Sequence, residues 1–243
     1  MPTLPLPALD YLPHLRALTE AFAGEVRAGS LDAAVPVCGD WTRRDLVGHL
    51  GNVHRWAAHV VATGQRQQLD DAVGADLAEW YADSAAVLLD ALAEVNPGDS
   101  CWHFGGTAKT KAFWFRRQVH ETAVHLIDAL AARGEEPRLE PLVAADGVDE
   151  VLAGFLPRVT RFGAVPPLPV PIGFRATDLG HSWTLVPGEP PALGEAEPAA
   201  TVEAQAQDLL TLLWKRSDLS AAGLRITGDE AVVRAFLTAQ LTP

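Results

Sequence analysis

Two residues of one predicted helix have the types and the spacing of metal ligands. Glu121 and His125 are four positions apart, so a helix places both side chains on one face, where they could bind the same cation. Asp128 follows on that face and could orient the imidazole of His125 by accepting a hydrogen bond from it. A carboxylate and an imidazole one turn apart resemble half of a zinc site, which needs a third ligand from another element.

The third ligand would come from an earlier predicted helix, which carries His49, His54 and His59. A step of five residues turns about 140° around a helix, so these three histidines point in different directions and cannot share one ion. His49 lies at the edge of the apolar arc of this helix and is the best candidate to reach an interior site. Two histidines and a glutamate suit zinc and leave a fourth position open. The alternative is a partly buried His49 that bonds to a backbone carbonyl.

The polar stripe of the later helix also has a second interpretation. Arg117, Glu121, His125 and Asp128 lie roughly opposite the apolar arc, so periodicity alone predicts a solvated face. Trp114 lies on the same stripe, and a tryptophan there indicates a crevice rather than open water. We therefore predict that Trp114 lines this crevice and contacts a cofactor.

A loop that precedes this helix offers a weaker candidate site. Cys101 and His103 flank Trp102, and a Cys–His pair could act as a nucleophile and its base. A buried thiol beside an unrelated histidine is the simpler interpretation. The sequence contains no nucleophile elbow, phosphate loop or dinucleotide-binding fingerprint.

The composition excludes several classes of protein. The 243 residues include 31 acidic and 19 basic ones, for a formal net charge of −12, and so acidic a chain is not expected to bind nucleic acid. No apolar run is long enough to span a membrane, and the N-terminus lacks the pattern of a secretory signal. Two cysteines form no disulfide framework. We therefore expect a cytoplasmic protein.

The elements that must position these residues are predicted by periodicity and by capping residues. Four long helices are predicted at residues 10–28, 42–63, 74–95 and 109–133, with Asp10 and Thr42 as N-caps, and they indicate a four-helix bundle. A linker at 134–141 and a helix at 142–160 follow. Strands are then predicted at 172–177, 182–186, 200–204 and 224–227, and helices at 205–216 and 229–241. The pattern predicts a two-domain α+β protein, with a bundle over residues 1–140 and a small α+β domain over residues 141–243.

Three segments resemble the DinB-like, mycothiol-dependent maleylpyruvate isomerase family of actinobacteria. The first two are WTRRDLVGHL at residues 41–50 and RRQVHETAVHLID at residues 116–128. The third is AQDLLTLLWKR at residues 206–216, followed by LRITGD at 224–229, and it is similar to the family's sterol-carrier-like second domain. The resemblance covers nearly the whole chain.

The resemblance implies that His49, Glu121 and His125 bind a divalent metal ion, which is zinc in the isomerase. Arg216 fits the place of an arginine that is implicated in the family's activity, and Arg216 or Arg117 would hold the carboxylates of the substrate. Zinc would convert a low-molecular-weight thiol such as mycothiol into a thiolate. Addition of the thiolate to maleylpyruvate, bond rotation and elimination would then give the trans isomer, fumarylpyruvate.

Three functions are compatible with these residues. The first is a zinc-dependent isomerase, or an S-transferase that passes the thiol to a small electrophile. The second is a non-catalytic module in which Trp102, Phe104 and Trp114 line a pocket for a hydrophobic ligand. The third is a metal-dependent hydrolase that needs no thiol. No feature of the sequence specifies the oligomeric state, and a monomer is the simpler expectation.

Overall fold

The computed structural model describes residues 3–68, 72–160 and 167–242, with the exception of the side chain of residue 160. The chain divides into a helical unit, Leu6–Pro137, and a second unit that comprises Arg138–Pro243 with Met1–Pro5. The second unit contains a five-stranded sheet, so the predicted α+β class is confirmed. The domain boundary after residue 140 stays a prediction. No helix in the described ranges is long and apolar enough to cross a membrane.

The helical unit is a bundle of four helices, preceded by a short 3-10 turn. The helices are α1 (Tyr11–Ala28), α2 (Arg43–Thr63), α3 (Leu77–Ala93) and α4 (Ala112–Ala131). Large side chains from all four helices fill its core, among them Phe22, Leu50, Tyr81 and Leu126. Burial of these side chains holds α2 against α4, and these two helices carry the predicted metal ligands.

The ends of α2 follow the sequence signals closely. The Thr42 side chain accepts a hydrogen bond from the backbone of Asp45, whose carboxylate in turn accepts one from the backbone of Thr42, so the predicted capping box is confirmed. Gly64 ends the helix with a φ of 73°, a conformation that glycine adopts without steric cost. The prediction for Asp10 is wrong, because Asp10 has helical angles in the 3-10 turn and its side chain caps nothing.

Two helices begin later than predicted, because polar contacts hold the preceding residues in other conformations. The carboxylate of Asp76 accepts bonds from the backbone of Ala78 and Glu79, so α3 begins at Leu77 rather than at residue 74. Thr110 forms an isolated antiparallel bridge with Ser100, which delays the start of α4 from residue 109 to Ala112.

The second unit combines a mixed sheet with helices. The helix predicted at 142–160 comprises α5 (Pro141–Asp149), a π-helical segment (Glu150–Phe155) and α6 (Leu156–Thr160). The strands are β1 (Ile172–Ala176), β2 (His181–Val186), β3 (Ala192–Leu193), β4 (Ala200–Ala204) and β5 (Arg225–Gly228), in the order β3-β2-β1-β4-β5. The sequence did not indicate the two-residue strand β3. Strands β1 and β4 pair in parallel, whereas the other neighbours are antiparallel.

Both late helices are shorter than the sequence predicted. Helix α7 spans Ala206–Leu213 and α8 spans Glu230–Phe236. Lys215 has a φ of 59°, and a residue in that left-handed region cannot continue a right-handed helix. The predicted end of α7 at residue 216 is therefore wrong.

Candidate metal centre

Three side chains of the bundle point their ligand atoms at one another. His49 Nε2 lies 3.4 Å from Oε1 of Glu121, and His125 Nε2 lies 3.2 Å from the same oxygen. The three ligand atoms all lie within 4.8 Å of one another, and among the described residues this trio is the group that could share one ion. Helix α2 contributes His49, and α4 contributes the other two from adjacent turns, so the packing of two helices assembles the site.

The distances between these atoms match those of a zinc site. Ligands that bind zinc tetrahedrally at about 2.0–2.2 Å lie roughly 3.3–3.6 Å apart. The two measured separations from the Glu121 oxygen, 3.4 and 3.2 Å, lie at or just below this range. Two imidazoles and one carboxylate are borderline ligands that suit zinc and leave a fourth position free. The chemistry of the set and its two separations from Glu121 therefore fit a zinc ion.

Arg117 holds the carboxylate of Glu121. Its guanidinium Nη2 donates a hydrogen bond to Oε2 of Glu121 at 2.7 Å, across one turn of α4. Burial alone would raise the pKa of Glu121, but the charge of Arg117 and the hydrogen bonds from His125 and His49 hold it well below its ordinary value. Glu121 is therefore a carboxylate at neutral pH, and Arg117 leaves its other oxygen for a cation.

Asp128 holds the imidazole of His125 from the opposite side. His125 Nδ1 lies 3.0 Å from Oδ2 of Asp128, which is fully buried. Burial would lower the pKa of His125, but the bonds to Asp128 and Glu121 outweigh it and raise this pKa to about 9. The thiol of Cys38 donates a longer bond, of 3.6 Å, to the same Asp128 oxygen. This arrangement orients Nε2 of His125 toward Glu121, as a carboxylate does for many metal-binding histidines.

His49 is the most open member of the trio. Its side chain is 31% exposed, whereas those of Glu121 and His125 are 18% and 11% exposed. The ring of Trp41, from the loop before α2, lies 5.0 Å from the His49 ring, centroid to centroid. The site is therefore open to solvent on the His49 side and closed around α4.

The other two histidines of α2 lie apart from this centre. His54 is fully buried, and its Nε2 contacts the hydroxyl of Thr122 at 3.1 Å. Thr122 donates its own proton to the carbonyl of Gln118, so His54 must donate to Thr122. Burial lowers the pKa of His54 to about 3, so its ring is neutral. His59 is exposed, as its position on the helix predicts.

The alternative of a solvated face on α4 is wrong. Arg117 is 3% exposed and Asp128 is fully buried, although both lie opposite the apolar arc. Trp114 is also fully buried, and its indole N–H donates to the carbonyl of Trp102 at 3.0 Å. The rings that surround Trp114 are those of Trp56, Trp102, Phe104 and Phe113. The prediction that Trp114 contacts a cofactor is therefore corrected, because the aromatic cluster leaves none of its surface accessible.

Cys101 and His103 do not form a nucleophilic pair. The thiol of Cys101 is buried and faces the carbonyls of Val60 and Trp102, and this burial raises its pKa. Both ring nitrogens of His103 are used by its own loop, since Nδ1 accepts from Gly105 N–H and Nε2 contacts the carbonyl of Ala108. The thiol therefore has neither a base nor the low pKa that a nucleophile requires.

Arg216, which the resemblance implicates in activity, lies in the second unit just after α7. Its guanidinium donates to the carbonyl of Trp214 at 2.9 Å and lies over the Trp214 ring, 5.7 Å from the centroid. The side chain is partly exposed. Its role in activity stays a prediction.

The sequence predicted only in part the lining of a pocket beside the candidate metal centre, because of the predicted lining residues it is Trp102 that lies there. The pocket is lined by Trp56 of α2, by Trp102 of the loop before α4 and by Arg66. No helical period links residues so far apart in the sequence, so only the fold brings them together. Trp102 was the available signal, whereas Phe104 and Trp114, which the sequence placed beside it, do not line this pocket.

A helical bundle that carries a candidate two-histidine, one-glutamate centre, and a second unit with a mixed sheet, define a two-domain α+β protein. Residues 12–130 match the mycothiol maleylpyruvate isomerase N-terminal domain, and residues 143–235 match the C-terminal domain of the same family. The chain therefore belongs to the mycothiol maleylpyruvate isomerase family, which is a family of enzymes. The resemblance seen in the sequence is confirmed.

Solved structures show the same fold. The crystal structure of a mycothiol-dependent maleylpyruvate isomerase has a TM-score of 0.62 and 15% identity, with 91% of this chain and 93% of that chain covered. A histidine-to-alanine mutant of such an isomerase has a TM-score of 0.64 and 14% identity, with the same coverage. No curated protein sequence matches the chain at a significant level.

Proposed function

We propose that this protein is a zinc-dependent enzyme that uses a low-molecular-weight thiol, mycothiol by its family, as its cofactor. Zinc would be held by His49, Glu121 and His125. The observation that carries the proposal is the convergence of their ligand atoms within 4.8 Å of one another. Family membership supports a thiol-dependent isomerase, and the ligand set supports the metal.

A bound zinc ion supplies a Lewis acid at which a thiol with an ordinary pKa of about 8.5 ionises at neutral pH. Glu121 contributes one negative charge to the ligand set, and neutral His49 and His125 contribute none. Arg117 fixes the rotamer of Glu121 by its 2.7 Å bond. In this role Arg117 positions a metal ligand, and we no longer expect it to hold the substrate carboxylates.

A thiol that ionised there would supply reversible addition to a conjugated double bond, which is the chemistry that cis–trans isomerisation requires. We propose maleylpyruvate or a similar unsaturated diacid as the substrate, with transfer of the thiol to another small electrophile as the related activity. Such a substrate is anionic, and Arg216 is the cation that we propose to hold a carboxylate. The half-exposed ring of His49 marks the side from which small molecules reach the site.

Activity measured with and without the thiol tests the proposal. Zinc-loaded protein should convert maleylpyruvate only when mycothiol is present, and Glu121→Gln should abolish the conversion. His59→Ala, which removes an exposed histidine of the same helix, is the matched control and should be active. Conversion by zinc-loaded protein without any thiol would contradict the proposal and would favour the thiol-independent hydrolase.

A further inference from the structure

The helical unit has a second feature beside the metal centre, an open pocket of about 540 Å³. This volume falls within the range of roughly 300–1,000 Å³ that is typical of small-molecule sites. The lining residues are Val53, Trp56, Arg66, Gln67, Gln68 and Trp102. Two aromatic rings therefore form one part of the wall, and three polar side chains form another.

Hydrogen bonds hold both tryptophans in place before any ligand arrives. The indole N–H of Trp56 donates to the carbonyl of Gln67 at 2.8 Å, and the backbone N–H of Trp102 donates to the carbonyl of Gly64 at 2.8 Å. The carbonyl of Trp102 accepts from the indole of the buried Trp114. Both rings remain only partly buried. A ligand therefore meets rigid apolar surface, which costs little entropy on binding.

The geometry of the rings selects against a flat aromatic ligand. The planes of Trp56 and Trp102 are 71° apart with centroids at 6.1 Å, so they form a corner rather than a parallel slot. The guanidinium of Arg66 lies over the Trp102 ring, 5.7 Å from its centroid, and occupies one of its faces. A saturated ring with C–H groups on its faces fits such a corner better than a planar base.

The polar wall matches a ligand with several hydroxyl groups. Each glutamine amide offers two donors and one acceptor, and Arg66 adds further donors. Arg66, Gln67 and Gln68 are all exposed, so they can turn toward a ligand without loss of buried bonds. Hydroxyl groups donate and accept, whereas a lipid chain would use none of these groups.

The pocket begins close to the metal centre. Val53 and Trp56 follow His49 by four and seven positions on α2, so all three lie on one face of the helix. With a rise of 1.5 Å per residue, Val53 lies about 6 Å and Trp56 about 10 Å along the axis from His49. A ligand of that length reaches from the pocket to the metal ligands.

We propose that this pocket binds an uncharged, polyhydroxylated ring, the carbohydrate-like part of the thiol cofactor whose sulfur reaches the metal centre. The proposal rests on the proposed function for the role of the thiol. Mycothiol fits this class, because its cysteinyl thiol is attached to a glucosamine–inositol pair. Trp56 and Trp102 would pack against the ring C–H groups, and Arg66 and Gln68 would bond to its hydroxyls.

The test compares two thiols on zinc-loaded protein. Loss of the polar wall in the double variant Arg66→Ala/Gln68→Ala should weaken mycothiol binding about tenfold, measured by calorimetry, because about two hydrogen bonds are removed. Binding of N-acetylcysteine, which has the thiol but no sugar, should not change. Gln65→Ala removes an exposed glutamine outside the pocket and is the matched control, with wild-type affinity for both thiols.

A second experiment tests the sugar pocket independently of zinc binding. Metal-free protein should bind the thiol-free N-acetylglucosamine–inositol pair, in which the amide keeps the sugar uncharged, observed by saturation-transfer NMR, and the double variant should lose this signal. This result would support the pocket even if the protein bound no zinc. No signal from wild-type protein, or an equal effect of the double variant on mycothiol and N-acetylcysteine, would overturn the proposal.

Discussion

Zinc binding should expel a proton from His125. In the metal-free protein, the bonds to Asp128 and Glu121 raise the pKa of His125 to about 9 against the effect of burial. The imidazole must lose its Nε2 proton to bind a metal ion. Zinc therefore competes with a tightly bound proton on His125, and the resulting loss of zinc affinity can be calculated from the pKa.

The size of this loss of zinc affinity follows from the difference between the pKa of His125 and the pH of the measurement. At pH 7 a group with a pKa near 9 is neutral in only about 1% of molecules, so apparent zinc affinity is reduced about 100-fold, or about 2.7 kcal/mol. The affinity should rise about tenfold per pH unit between pH 7 and 8. Nearly one proton per site should leave His125 on binding.

Calorimetry with chelator-buffered zinc, in buffers of different ionisation enthalpy, measures the released protons. The matched variant is Asp128→Asn, which removes the carboxylate that raises the pKa of His125. At pH 8 the variant should release most of one proton fewer than the wild type, and protons lost from other groups cancel in this difference. Equal proton release by the two proteins, or an affinity that is flat between pH 7 and 8, would refute the reasoning.

Three further predictions concern the surroundings of the site. In a double-mutant cycle, the effects of Arg117→Met and Glu121→Gln on the free energy of unfolding of the metal-free protein should be coupled by about 3 kcal/mol. Additive effects of the two substitutions would show that Arg117 and Glu121 do not form a buried ion pair. Burial lowers the pKa of His54 in the folded protein, whereas in the unfolded chain its pKa is about 6.5. Above pH 6.5 the ring is neutral in both states, and folding costs no proton. Stability should therefore fall by up to about 1.4 kcal/mol per pH unit as the pH drops from 6.5 toward 4, and His54→Leu should flatten the urea-measured slope. Cys101→Ser should keep thiol-dependent turnover within about twofold of the wild-type rate. Loss of turnover in this variant would indicate that Cys101 acts as a nucleophile.

The convergence of His49, Glu121 and His125 could be predicted because each of the three residues leaves a local signal in the sequence. Glu121 and His125 share a helical face by their spacing, and helical periodicity singles out His49 among three histidines of α2. What periodicity could not show is that the polar stripe of α4 is buried. Arg117 bonds to Glu121, and Asp128 bonds to His125, so these buried polar groups are paired within the protein. The hydrophobic periodicity of the sequence does not show whether a polar stripe is buried in this way.

The remaining errors have similar causes. Trp114 was assigned to the site because it lies on a polar stripe, but contacts from four other aromatic rings place it in a core. Helix α7 cannot continue through Lys215, because this residue has a left-handed backbone conformation. A lysine in the sequence does not predict such a conformation. The strand β3 has two residues, too few for any alternating pattern.

Metal content is the most direct test of the central claim, that His49, Glu121 and His125 form one zinc site. Purified protein is saturated with zinc, freed of excess by gel filtration and measured by mass spectrometry of the metal. The wild type and the control His59→Ala should retain about one zinc per chain, whereas His49→Ala and Glu121→Gln should retain little. Wild-type protein without zinc, or variants that retain as much as the wild type, would contradict the account.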